Sequence, residues 1–216
     1  MSDPYVYSNG VLKNKLNIKD HNELRQAEAD IGFLKLINVE FIETDTYDGE
    51  LLKRLHQHIF GDIFDWAGEF RKCPLVKEEF IFPGYSIPYS YHKNISKDLK
   101  QRLKELDSTP WESMSEEEIA RVFARKIALL WKVHPFRDGN TRTILSFSYM
   151  YAKAHGFPMD MQTFTDNLAR LYYENGKVSR HSIRDKFVIA SLEEENYPEV
   201  EPLAAVFEQS MKKYKN

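Results

Sequence analysis

The sequence predicts a mainly α-helical domain, and three stretches carry that reading. Ser115-x-x-Glu118 has the form of a capping box, after which Ile119, Val122, Phe123, Ile127, Leu130 and Trp131 recur at helical spacing for about five turns. Ile144, Phe147, Ser148, Tyr151 and Ala154 line one face of a second helix, with Gly156 positioned to stop it. Between them Pro135 predicts the end of the first helix, because its ring disfavours helical geometry in the preceding residue and it has no N–H to donate. His134 therefore falls at the hinge between two apolar helices.

The remaining elements follow the same logic. Asn17 to about Ile37 predicts one or two short helices with Leu24, Ala27, Ala29, Ile31 and Leu34 as a partial stripe, followed by Val39-Glu40-Phe41-Ile42. From Tyr47 a helix runs toward Phe64, carrying Leu51, Leu52, Leu55, His58 and Ile59. The Lys/Arg cluster from Lys93 to Lys104 is interleaved with Asp98, Leu99, Leu103 and Leu106, the pattern of a solvated helix face. Pro158 and Asp160 mark a turn, with helices expected near Met161 to Glu174 and Arg180 to Glu194. Pro198 and Pro202 break the chain before a last amphipathic helix, Leu203 to Lys213.

The chemistry concentrates in His134-Pro135-Phe136-Arg137-Asp138-Gly139-Asn140-Thr141-Arg142-Thr143. A helix start leaves amide N–H groups unpaired and carries partial positive charge, so it holds anions. Asn140 or Thr141 is expected to cap that helix, and Gly139 to supply the tight turn before it. A loop imidazole with an ordinary pKa of about 6.5 can accept a proton from an attacking hydroxyl. Asp138 offers hard oxygen ligands to Mg2+, Arg142 can grip a phosphate in bidentate fashion, and Phe136 anchors the loop in the core. Each residue alone also has a plain structural role, as core histidine, turn acid, cap or surface ion pair. Together in so short a window they fit transfer of a phosphate-containing group to a hydroxyl.

His134 to Arg142 resembles the H-P-F-x-[D/E]-G-N-x-R motif of the Fic (filamentation induced by cAMP) domain family. Leu55 to Arg71, with Asp65-Trp66-Ala67-Gly68, is similar to the family's upstream helix-and-turn segment, and the likeness extends over roughly Thr44 to Ala190. The resemblance implies a compact helical domain with a short β-hairpin flap, divided into an N-terminal helical extension over 1–43, a catalytic core over 44–190 and a C-terminal helical extension over 191–216 packed on the core. It implies AMP transfer from the co-substrate ATP to a Ser, Thr or Tyr hydroxyl of a target protein, with auto-modification included. His134 would be the base, Asp138 the Mg2+ carboxylate, and Gly139, Asn140, Thr141 and Arg142 the nucleotide-binding loop over Phe136. The flap that aligns the target would span Leu75 to Pro88, with Val76, Phe80, Ile81 and Phe82 ending in a turn at Pro83-Gly84.

Two positions depart from the family pattern. Thr141 stands where AMP-transferring members commonly carry Gly and a kinase-like branch carries Lys, and Leu145 stands where a second Arg is common. Transfer of a phosphoryl or other phosphate-containing group to a protein hydroxyl and a non-catalytic nucleotide-binding regulatory module therefore stay open as alternatives. Many members are inhibited by a glutamate in [S/T]-x-x-x-E-[G/N], from the same chain or a small antitoxin-like partner. Ser191 to Asn196 has that form, with Glu195 as the inhibitory residue, although a Glu-rich helix end writes the same string.

Composition sets the outer bounds. At 216 residues, 42% apolar and 13% aromatic, the chain suits a folded domain with a sizeable core. A net charge of -3 argues against nucleic acid as partner. A single cysteine, Cys73, is compatible with a reducing compartment, and no H-E-x-x-H zinc pattern occurs. With no signal-peptide pattern and no apolar run of membrane-spanning length, we expect a cytoplasmic protein with no membrane partner, leaving signal-independent export into another cell open.

Overall fold

The computed structural model describes residues 3–79, 81–166, 172–174, 177–180, 182–192 and 199–215, with backbone alone for 82–83, 172–174 and 177–180. Within them the order is α1 (His21–Leu36), α2 (Gly49–Phe60), β1 (Glu78–Glu79), β2 (Phe82–Ser86), α3 (Ile95–Asp107), α4 (Glu116–Val133), α5 (Asn140–Ala154), α6 (Met161–Asp166), β3 (Tyr172–Glu174), β4 (Lys177–Arg180), α7 (Ile183–Ser191) and α8 (Glu201–Lys215).

Local signals account for the helix starts. Asp20 and Asp48 accept from the free N–H groups of α1 and α2, while Ser115 and Ser182 complete capping boxes on α4 and α7 with Glu118 and Asp185. α4 is the central helix, packed against α3, α5, α7 and α8. Its Phe123, Ile127, Leu130 and Trp131 are fully covered, and they join Leu51, Leu55, Phe147, Phe187 and Phe207 in the main core. A second, smaller cluster gathers Val11, Leu24, Leu36, Phe60 and Phe64 where α1 lies on α2.

Three local expectations are corrected. Tyr172–Glu174 and Lys177–Arg180 pair as the antiparallel strands β3 and β4, Glu174 opposite Lys177, rather than extending helices from either side. The overlooked signal is Asn175-Gly176 flanked by Tyr172, Tyr173 and Val178, the residue types of a two-residue hairpin. Pro202 does not precede the last helix but sits in its first turn, where its missing N–H costs nothing. In β1–β2 the register pairs Glu78 with Ser86 and Glu79 with Phe82, so Pro83-Gly84 lies inside β2 at a register shift instead of forming the turn.

The packing holds one irregular segment in place, the loop between α4 and α5. Pro135 keeps His134 out of helical geometry, and His134 closes α4 in the left-handed region at φ 51°, its N–H donating to the Trp131 carbonyl. Arg71 is buried beneath the loop, where its N–H donates to Pro135 O and its Nε to His134 O, both at 2.8 Å. Its other nitrogens reach the Cys73 and Ser90 carbonyls. From α2, His56 lies face to face with Phe136 at 3.9 Å and has Nε2 3.0 Å from Asp138 O. Gly68 N–H donates to His56 Nδ1, so Nε2 carries the ring hydrogen and donates to the loop.

Two measurements follow. Phe123→Ala opens a cavity at the centre of α4's packing and is expected to cost about 3–5 kcal/mol of unfolding free energy in denaturant titrations. Burial lowers the pKa of His56 to about 3, from 6.5. The unfolded chain therefore takes up the proton first, and the contribution of His56, complete above pH 6.5, is lost as pH falls toward 3. Between pH 7 and pH 5 this amounts to about 2 kcal/mol. His56→Asn should reduce the pH-dependent loss of stability by that amount, and an unchanged pH profile would refute the assignment.

Candidate active site

The loop, the start of α5, the inner face of α1, the segment leading into β1 and the start of α7 surround a cavity of about 700 Å³. His134, Asp138, Gly139, Asn140, Thr141 and Arg142 all line it, so these residues of the motif meet at one cavity.

His134 is almost wholly covered, its ring stacked on Tyr89 at 4.0 Å and set edge-on to Trp131 at 5.1 Å. Neither ring nitrogen has a hydrogen-bond partner among the described residues. Burial, reinforced by the charges of Lys77 and Arg184, holds the imidazole well below its usual pKa, so it is neutral at pH 7 and has a lone pair to accept a proton.

Asp138 is half-buried, with one carboxylate oxygen accepting from Gly139 N–H at 2.7 Å and lying 3.4 Å from Lys77 Nζ. Burial pushes its pKa up, but Lys77, the Gly139 N–H, Arg142 and Arg137 together hold it well below the usual carboxylate range. Among the described residues no group of three or more His, Cys, Asp or Glu could enclose a metal ion. An ionised carboxylate at the rim of a cavity fits a different arrangement, a single protein ligand completed by water and substrate phosphates.

The expected caps are corrected. The N-cap of α5 is Gly139 in left-handed geometry at φ 75°, where a Cβ would meet the Phe60 ring at 2.3 Å. Asn140 instead turns back, its amide bonded to both the N–H and the carbonyl of Phe136 at 2.9 Å, which closes the loop on itself. Thr141 accepts from Trp131 Nε1 at 3.0 Å. That bond gives the side chain at this position a structural role, joining the last turn of α4 to the first turn of α5. Phe136 is completely buried beneath the loop, as expected.

Arg142 projects toward α1. Its guanidinium lies 4.4 Å from the centre of the Phe60 ring and donates to Glu28 Oε2 at 2.7 Å and Glu28 O at 2.9 Å. A Cβ on Gly32 would stand 3.0 Å from Arg142 Nη1, so the glycine admits the arginine between the helices. Burial, together with the nearby Asp138, raises the Glu28 carboxyl pKa despite the pairing with Arg142. Leu145, at the second-arginine position, is buried in the main core.

The flap residues separate. Val76 is exposed ahead of β1 and Ile81 packs against the core; Phe82 lies in β2, and Phe80 falls outside the described residues. Ser191 ends α7 buried, its hydroxyl donating to Val188 O, while Glu195 falls outside the described residues. Sequence reading missed four residues that shape the site: His56, Glu28, Lys77 and Arg184. Glu28 carried a faint signal, because Leu24, Glu28, Gly32 and Leu36 form one row of α1 and the other three are buried. Lys77 and Arg184 left no local signal, since only the tertiary fold brings them to the cavity.

The chain is similar in sequence and fold to known proteins. The model of the Fic/DOC family matches residues 46–152. The protein adenylyltransferase VbhT of Bartonella schoenbuchensis is 28% identical over 192 residues, covering 85% of this chain and 38% of that protein. The probable protein adenylyltransferase y4lH of Sinorhizobium fredii is 30% identical over 169 residues, covering 74% of this chain and 80% of that one. This chain thus spans most of the second relative but well under half of the first. Among solved structures, the Bartonella tribocorum effector BepC with bound AMPPNP superposes with a TM-score of 0.70 at 25% identity, over 95% of each chain. The motif in sequence, the helical fold around the buried loop and these likenesses have one meaning: the chain belongs to the Fic/DOC family.

Proposed function

We propose that the chain transfers AMP from ATP to a hydroxyl of a target protein. The observation that carries this reading is a neutral, buried imidazole beside an ionised carboxylate at a helix start, in a cavity with an excess of cationic side chains. Arg25, Lys77, Arg137, Arg142 and Arg184 line that cavity against Glu28 and Asp138, which suits a polyphosphate. The names of the relatives favour AMP transfer over phosphoryl transfer and over a non-catalytic module.

In this reaction the acceptor oxygen attacks the α-phosphorus, its proton passes to a ring nitrogen of His134, and the bond from the α-phosphorus to the α,β-bridging oxygen breaks to release pyrophosphate. The N–H groups at the start of α5 and Arg142 hold the phosphates, and Asp138 is the residue that would hold Mg2+. Bound there, Mg2+ would neutralise phosphate charge as it builds up on the leaving group. Val76, Phe80, Ile81 and Phe82 form the target-aligning flap in this reading, and auto-modification is included in it.

The finer calls belong to the same proposal. The core over 44–190 carries the activity, with helical extensions on either side. Glu195 after Ser191, or an antitoxin-like partner, supplies inhibition; the carboxylate that meets Arg142 among the described residues is Glu28. No described helix is long and apolar enough to cross a membrane, and we take the cytoplasm as the working compartment, either of the producing cell or of a cell that receives the protein.

The deciding assay supplies magnesium and ATP labelled separately at the α- and γ-phosphates. Label from the α-phosphate should become protein-bound in the native chain and fall about a hundredfold or more in His134→Ala. Label from the γ-phosphate alone would establish the kinase-like reaction instead. Asp138→Ala should weaken magnesium-nucleotide binding roughly tenfold or more in calorimetry while leaving metal-free nucleotide binding less affected. Equal affinities with and without magnesium in the native chain would remove Asp138 from the metal role.

A further inference from the structure

Arg184 stands at the start of α7, far in sequence from the loop, yet it lines the same cavity as His134, Asp138 and Arg142. Its Nη2 donates to Glu79 Oε1 at 2.8 Å, to Glu79 Oε2 at 2.9 Å and to the Tyr89 hydroxyl at 3.1 Å. Tyr89 OH in turn donates to Glu79 Oε1 at 2.7 Å, and its ring is the one stacked on His134. The guanidinium carbon lies 5.4 Å from the centre of the Trp131 ring.

Two features separate this arrangement from a simple structural ion pair. The bonds to Glu79 leave from one nitrogen, Nη2, whereas arginine–carboxylate pairs frequently use two nitrogens in a parallel fork. The two partners also differ in exposure: the Glu79 side chain is 2% exposed and that of Arg184 32%. The carboxylate is thus the buried brace, and the guanidinium is the part presented to the cavity. Meanwhile α5 offers Arg142 to the cavity but not residue 145, because Leu145 is sunk in the core.

We propose that Arg184 is a phosphate-binding residue of this site: braced by Glu79 and Tyr89, it contacts the polyphosphate chain of the nucleotide from the α7 side, opposite Arg142. This rests on the reading of the site as a nucleotide site. It also gives the β1 segment a link to the nucleotide, since Glu79 belongs to the hairpin proposed to align the target.

The test is calorimetric titration of the whole chain with magnesium-ATP, magnesium-ADP and adenosine. Arg184→Gln should weaken ATP and ADP binding about tenfold to a hundredfold, the range for loss of a charge-assisted hydrogen bond, and leave adenosine within about twofold. Arg184→Lys should recover part of the loss, because it keeps the charge without the fork. Glu79→Gln, which weakens the brace but leaves the guanidinium, should stay within about threefold of the native chain for ATP. Native-like ATP affinity in Arg184→Gln overturns the inference, as does a full loss reproduced by Glu79→Gln, which would make Arg184 a tether for the hairpin. Adenosine binding that falls as far as ATP binding also overturns it, because the change would then be a collapsed cavity. If the native chain binds none of the three ligands, the nucleotide reading itself fails and the inference falls with it.

Discussion

A loop buried between two helices must find partners for its own peptide groups, and much of this structure serves that requirement. Residues 134–139 cannot use a helical ladder, because Pro135 prevents one and His134 adopts left-handed geometry. A peptide group left unpaired in the interior costs on the order of 1–3 kcal/mol, and several of those in the loop have a side-chain partner from outside the helical ladder. Arg71 takes the His134 carbonyl and gives its own N–H to Pro135 O, Asn140 takes both polar groups of Phe136, and His56 takes the Asp138 carbonyl. Three polar side chains that would be costly to bury alone are thereby satisfied by the loop, and the loop is fixed by them. The upstream helix and the motif are interdependent because neither can be buried without the other.

Electrostatics follow from the same burial. A buried imidazole surrounded by Lys77, Arg184 and Arg71 resists protonation, which keeps it available as a base near neutral pH. Lys77 also acts on Asp138, and with the Gly139 N–H, Arg142 and Arg137 it holds that carboxylate ionised against the upward pull of its own burial. Two overlapping sets of positive side chains, with Lys77 in both, thus favour the protonation states that proton acceptance and metal binding require. Asp3 and Glu79 brace Arg137 and Arg184 through ion pairs of 2.7 and 2.8 Å, so the positive charge stays in place without a substrate to attract it.

How much of this was legible in the sequence depends on how local each feature is. The helices were legible because capping boxes and apolar spacing act within a few residues, and the Ser115–Glu118 box is present as read. The motif was legible because its residues are consecutive, so they meet wherever the loop goes. What failed was the assignment of partners. Asn140 is a chemically sound cap, but it falls one position inside the helix, after Gly139, and its amide pairs with both polar groups of Phe136 instead. Glu28 and Gly32 blurred the stripe of α1, since the inward row of that helix receives an arginine between two core residues, Leu24 and Leu36. Lys77 and Arg184 were out of reach of any local argument: they are as much as 107 residues apart in number and meet only through the β1 segment and α7.

The pairing of Glu28 with Arg142 then bears on how the site can bind an anion. Under the proposed function, a phosphate that engages Arg142 replaces one anionic partner with another, so the net gain is smaller than that of filling an unpaired guanidinium. It also leaves a buried carboxylate near Asp138, which favours protonation of Glu28 or its movement toward solvent. Both effects reduce what Arg142 alone contributes and increase what the remaining cations must supply. Thr141 adds to that demand, because its hydroxyl is committed to Trp131 and its branched side chain stands where a glycine would let the phosphates approach the backbone more closely. The site's capacity to hold a polyphosphate is therefore spread over several elements, α5, α7 and the segment before β1, instead of residing in the motif alone.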